Sequence, residues 1–179
     1  MLRVGSRPEA DGPPVLAAGP MLNPDRECTN EPFSLGEKDG NLVMTDGSLI
    51  LTVELATGRL SYHGPDGQLL FRELSADAVH FERRAPTGPT EPFPGYRTRL
   101  GLQLTEGEAL FGLGQHEEGR LNRRGTVQYL YQHNLKTSVP FLQSSRGWGL
   151  LWHGYSAMTF QDDRTGCRIQ SPLLIASDA

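Results

Sequence analysis

The stretch from Glu108 to Phe160 reads EALFGLGQHEEGRLNRRGTVQYLYQHNLKTSVPFLQSSRGWGLLWHGYSAMTF, and its reading decides the fold. Gly112, Gly114, Gly119 and Gly125 fall every few residues, which suits turns and close backbone approach better than a continuous helix. The apolar residues then return in short runs: Val127 to Tyr131, Val139 to Leu142, Trp148 to Trp152 and Ala157 to Phe160. The pattern predicts a glycine-rich loop followed by short strands and their connections.

On the N-terminal side the same texture continues. Leu49, Leu51, Val53 and Leu55 alternate with Thr52 and Glu54 behind the turn pair Asp46-Gly47, a period-2 strand. Arg59 to His63 follows Ala56-Thr57-Gly58, and Gln68 to Phe71 follows Pro65-Asp66-Gly67, so three strands form an antiparallel meander. Val79 and Phe81 mark another short strand, and Pro86 to Pro94 a breaker-rich loop. Tyr96, Thr98, Leu100, Leu102 and Leu104 share one face of the clearest strand, with Arg97, Arg99 and Gln103 on the other. No window shows apolar residues at helical spacing. The expectation is an all-β antiparallel sandwich, residues 41–179, behind an irregular Pro- and Gly-rich leader at 1–40 that is ordered only where Phe33 or Leu35 can dock.

Composition narrows the function classes. Among 179 residues, 21 Gly and 13 Pro against a hydrophobic fraction of 37% fit many short strands with abundant connections. A net charge of −4 argues against a general polyanion binder, so no nucleic-acid partner is expected. Cys28 and Cys167 stand far apart and are read as two idle thiols rather than a disulfide framework. The first twenty residues hold no apolar core of signal-peptide length, and no span reaches transmembrane length. A soluble cytoplasmic protein is expected. The tail Ser171-Pro172-Leu173-Leu174-Ile175-Ala176 stays apolar almost to its end, which predicts a truncated sandwich with an exposed apolar face, open strand edges and self-association.

Chemistry is sparse. His116-Glu117-Glu118 lacks the second His of a zinc-binding HExxH pair, since Arg120 holds that place. His116, His133 and His153 have no ligand spacing. Ser144-Ser145 sits in no nucleophile elbow, and Gly112-Leu113-Gly114 fails the dinucleotide fingerprint at Glu117. No catalytic residue, metal site or cofactor is expected in this chain.

One resemblance gathers the pieces. Phe111-Gly112-Leu113-Gly114-Gln115, Leu121-Asn122-Arg123-Arg124-Gly125, Gln132-His133-Asn134, Val139-Pro140-Phe141-Leu142 and Gly147-Trp148-Gly149-Leu150-Leu151-Trp152 stand in the order seen in the N-terminal sandwich of glycoside hydrolase family 31. The chain most resembles the α-xylosidase and α-glucosidase group, from about Leu42 to Phe160. The resemblance implies a sandwich of the galactose mutarotase type. It also implies that two catalytic Asp residues, held about 5–5.5 Å apart in a retaining enzyme, come from a (β/α)₈ barrel of about 250 residues that follows the sandwich. No W-x-D-M-N-E-like motif of that barrel occurs here. The domain is expected to be catalytically silent, to pack on the barrel, and to send a loop over the active-site mouth where an α-linked sugar binds.

The matching loop is Gln132 to Thr137. α-Xylosidase-like members commonly carry Asn at the place of Asn134, where others have Asp, and an amide can both donate to and accept from sugar hydroxyls. Asn134 either does this or satisfies its own turn. Gln132 and His133 either contact sugar or serve the domain interface. Trp148 and Trp152 are expected to be buried with an indole N–H partner, and Gln115 and His116 to buttress the glycine turns or the barrel contact. Arg123 and Arg124 are read as solvated, as paired with Glu117 and Glu118, or as partners of barrel carboxylates. Two other functions remain: a free-standing carbohydrate-binding module, which needs Trp148 or Trp152 exposed, and an aldose epimerase using His116, His133 and Glu117 as acid and base.

Overall fold

The computed structural model describes residues 32–74, 80–84, 95–152, 154 and 156–175. These residues form thirteen strands and, among them, no helix: β1 Ser34–Lys38, β2 Asn41–Thr45, β3 Ile50–Glu54, β4 Leu60–His63, β5 Leu69–Arg72, β6 His80–Arg84, β7 Gly95–Leu102, β8 Leu110–Gln115, β9 Val127–Leu130, β10 Thr137–Ser144, β11 Gly149–Leu151, β12 Met158–Asp163 and β13 Gly166–Ile175. They make three antiparallel sheets, ordered β1-β2-β3-β4-β5, β11-β10-β8 and β6-β7-β13-β12-β9.

The expected meander is present as β3, β4 and β5, and two further strands precede it. The turn between β2 and β3 closes because the Asp46 carboxylate accepts from the amides of Ser48 (2.8 Å) and Leu49 (2.9 Å). β1 lies inside the segment expected to be irregular. It is exposed along its whole length and is held by pairing with β2, from Ser34↔Thr45 to Lys38↔Asn41. The two-residue loop Asp39-Gly40, with φ of 51° and 73°, is the left-handed turn such a hairpin demands.

The core lies between the inner faces of the other two sheets. On β7, Thr98, Leu100 and Leu102 are buried while Arg97 and Gln103 are exposed, as the alternation predicts. Leu130, Met158, Phe160, Cys167 and Ile169 continue that face, and Leu110, Leu113, Leu142 and Trp148 cover it from the opposing sheet. Each fully buried aliphatic side chain contributes on the order of 2 kcal/mol relative to exposure. Cys167 is a free, buried thiol whose pKa burial pushes well up; Cys28 lies outside the described residues, as do Val79, the 86–94 loop and His153.

The meander sheet joins the edge of β7 that β6 also pairs with: Glu73 bridges Leu102, the Leu74 amide donates to Gly101 O (2.9 Å), and the Gln103 amide donates to Arg72 O (2.9 Å). Phe71 then packs edge-on against Trp148, ring centroids 5.2 Å apart. Strand register places Leu42, Met44, Leu51, Val53, Leu60, Tyr62 and Phe71 on one face of this sheet. All seven are only partly buried.

β8 corrects the sequence reading. Its glycines look like turn residues, yet Phe111 to Gln115 is a strand. Three successive left-handed residues, Gly112 (φ 101°), Leu113 (68°) and Gly114 (90°), stand in it where β10 bulges. A Cβ on Gly112 would overlap the carbonyl oxygen of Phe141, and one on Gly114 that of Thr137. Close backbone approach, and not a turn, is what these two glycines serve.

Candidate functional site

The loop between β9 and β10, residues 131–136, carries the three residues singled out from the sequence, and all three are exposed. Its geometry separates their roles. The Lys136 amide donates to His133 O (3.2 Å), closing a turn with Asn134 and Leu135 at its centre. Gln132 staples that turn from inside: its Nε2 donates to Lys136 O, and its Oε1 accepts from the Ser138 amide at 3.2 Å. Ser138 Oγ adds a bond to Tyr131 O (3.1 Å), and Lys136 Nζ reaches Glu118 Oε1 (3.3 Å). Bonding to its own backbone amide, and then to the Lys136 ammonium, holds the Glu118 carboxyl below the usual carboxylate range. The His133 ring lies against Tyr131, centroids 5.0 Å apart and tilted by 35°.

Asn134 therefore does not cap its own turn. Among the described residues its side chain makes no hydrogen bond, and the Gln132 amide does the work that Asn134 was expected to share. Beside it Leu135 is 72% exposed at φ 67°. A side chain with a Cβ in that region costs about 1–2 kcal/mol, and among the described residues nothing covers it. The tip is thus built to present an unsatisfied amide and an uncovered leucine outward.

At the other end of the β8–β10 pair, where Ser144 faces Leu110, lies a buried polar layer that sequence reasoning mostly missed. Glu108 is the hub: Oε1 accepts from Trp148 Nε1 (2.9 Å) and Ser144 Oγ (2.5 Å), and Oε2 from the Thr105 amide (2.8 Å) and hydroxyl (2.9 Å). Burial raises its pKa, but the bonds from Ser144, Thr105 and Trp148 outweigh that and hold it below the ordinary value. Trp148 is buried with its indole N–H satisfied, as expected, and Trp152 is half-buried. Of the two tryptophans that a free-standing carbohydrate module could expose, Trp148 is buried and Trp152 only half-open.

Arg123 and Arg124 pair with neither Glu117 nor Glu118, and neither is a solvated loop residue. Arg124 Nε meets Asp162 Oδ2 at 2.8 Å and its Nη1 donates to Glu108 O at 2.7 Å. The Gly125 amide donates to the same Asp162 oxygen at 2.7 Å. Arg123 is buried, donating to Gly112 O (3.2 Å) and Gln128 Oε1 (3.5 Å). His116 buttresses the bulge, as predicted: Nε2 donates to Leu113 O (2.7 Å), and Nδ1 accepts from Gln128 Nε2 (3.0 Å). Both ring nitrogens are thereby engaged inside the domain. The signal that could have exposed this layer is the density of Arg, Gln and His beside residues that alternate into a core, which buries polar groups only when they are paired.

Comparison with known proteins agrees with this architecture. The family described as "Glycosyl hydrolase 31 N-terminal galactose mutarotase-like domain" matches residues 1–161. An α-xylosidase of Saccharolobus solfataricus is 30% identical over 130 residues, covering 68% of this chain and 17% of that protein. A family 31 glucosidase, ORF2, of Pseudescherichia vulneris is 30% identical over 128 residues, covering 63% and 24%. Among solved structures, the α-xylosidase Xac1773 of Xanthomonas citri superposes with a TM-score of 0.67 at 28% identity, over 74% of this chain and 14% of that one. A soil-metagenome α-xylosidase complexed with xylose shares the fold at a TM-score of 0.62 and 22% identity, over 79% and 23%. The chain thus spans less than a quarter of the length of each of these relatives. On the match over residues 1–161 and the all-strand sandwich, this chain belongs to the N-terminal galactose mutarotase-like domains of glycoside hydrolase family 31.

Proposed function

We propose that this domain is the non-catalytic N-terminal part of a retaining α-glycosidase acting on α-xylosidic or α-glucosidic bonds. It packs on a catalytic (β/α)₈ barrel and shapes a substrate subsite with the loop at residues 131–136. The observation that carries this reading is the tip of that loop. Asn134 has no bond partner among the described residues, and Leu135 is held exposed at a strained φ, so both serve something outside the sandwich. The kinship with an α-xylosidase and a family 31 glucosidase supports the substrate class. In this reading Asn134 contacts sugar hydroxyls, His133 stands against Tyr131 as the wall beside it, and Gln132 keeps the loop in shape.

The test is kinetic. In an enzyme carrying this domain together with its barrel, Asn134→Ala should raise KM for an aryl α-xyloside or α-glucoside about tenfold, matching one lost hydrogen bond of about 1.4 kcal/mol, with kcat nearly unchanged. An unchanged KM on both substrates, or hydrolysis by the 179-residue chain alone, would refute the reading.

A further inference from the structure

The bulge that β10 makes against Gly112-Leu113-Gly114 of β8 does more than admit a close backbone. β10 pairs with β8 in two blocks whose registers differ by two residues: Ser144↔Leu110, Gln143↔Phe111 and Leu142↔Gly112 on one side, Ser138↔Gly114 and Thr137↔Gln115 on the other. Between them Val139, Pro140 and Phe141 of β10 stand opposite Leu113 alone. Had the first register run on, Gln115 would face Val139, and Thr137 would lie two residues further out along the strand. At about 3.3 Å per residue, the bulge draws the start of β10, and with it the 131–136 loop, back by roughly 7 Å.

We infer that the Gly112-Leu113-Gly114 bulge is the positioning device that sets the reach of the loop carrying Asn134. This rests on the subsite role proposed above for that loop. In this register the Ser138 amide reaches Gln132 Oε1 and Lys136 Nζ reaches Glu118. The device is anchored on both sides. Leu113 is fully buried, its carbonyl accepts from His116 Nε2, and the carbonyl of Gly112 accepts from Arg123 Nε. Glycine is required at both flanks, because a Cβ at 114 would also stand 2.8 Å from Val139 N. The two oxygens that would collide belong to Phe141, the last of the unpaired β10 residues, and to Thr137, just before the paired Ser138. These four groups keep β10 from sliding into the continuous register, so the distance between the tip and the sandwich is fixed by the chain itself.

The test is amide hydrogen exchange on the whole 179-residue chain, comparing wild type with Gly114→Ala, Gly112→Ala and the control Gly107→Ala. Gly107 also has a positive φ of 72°, but a Cβ there meets nothing within 4 Å. The expected result is at least tenfold faster exchange at Ser138 and Lys136 in either bulge variant, with β12 and β13 still protected and the control like wild type. Unchanged exchange at Ser138 in both bulge variants would overturn the inference. So would uniform loss of protection in both, since the glycines would then serve the core alone. The readout contains no sugar. A bulge effect combined with an indifferent Asn134→Ala would uphold the positioning and refute only the subsite reading.

Discussion

Glu108 shows how much one side chain can hold. Four donors converge on its two oxygens, supplied by three residues, Thr105 before β8, Ser144 in β10 and Trp148 before β11. Glu108→Ala strands these donors in the interior and should cost about 3 kcal/mol in urea unfolding, since each unsatisfied buried group costs about 1–3 kcal/mol. Glu108→Gln keeps an acceptor for Trp148 and Ser144 but turns an NH₂ toward the Thr105 donors, and should cost about half as much. The carboxyl is a stronger acid folded than unfolded, with an ordinary value of 4.5. Its contribution is therefore complete above that pH and declines as pH falls through it. The acid limb of a stability profile should flatten in Glu108→Gln and persist in wild type. None of this was legible beforehand, because a lone Glu at the head of a glycine-rich stretch looks like any solvated charge.

At the scale of elements, what could be read was what alternates. β7 was found because Thr98, Leu100 and Leu102 face inward between exposed polar neighbours. β8 was hidden because its left-handed residues break the period that announces a strand, and a pair of glycines imitates a turn. β1 was hidden differently: as an exposed edge strand it carries no burial signal, and the one cue, the hairpin pair Asp39-Gly40, went unread. The loop was read at Gln132 to Thr137, although Thr137 already belongs to β10, and which of its residues staples it and which is left over depends on bonds across the turn that spacing cannot show. The tie between the β8–β9 connection and β12 was equally invisible, since Arg124 and Asp162 lie 38 residues apart. Asp162→Ala removes the partner of both the Arg124 guanidinium and the Gly125 amide. It should cost about 2 kcal/mol, below the 3–5 kcal/mol typical of a fully buried pair because Arg124 is partly exposed. Denaturant unfolding monitored by the buried Trp148 checks it.

For the whole molecule, the meander sheet is the exposed flank. Leu42, Met44, Leu51, Val53, Leu60 and Tyr62 form a half-open apolar face beside β1, whose outer edge is unpaired among the described residues. The isolated chain should associate as its concentration rises, and Leu51→Lys should suppress this in sedimentation velocity. A wild-type chain that stays monomeric across that range would show the face to be harmless. Cys167 offers a different view of the same body. On β13 between β7 and β12, buried in the core and with its ionisation suppressed by burial, this sulfur should ignore iodoacetamide for as long as the two layers stay shut. Its alkylation rate, resolved by peptide mass, then becomes an internal clock for how often the sandwich breathes wide enough to admit a small electrophile.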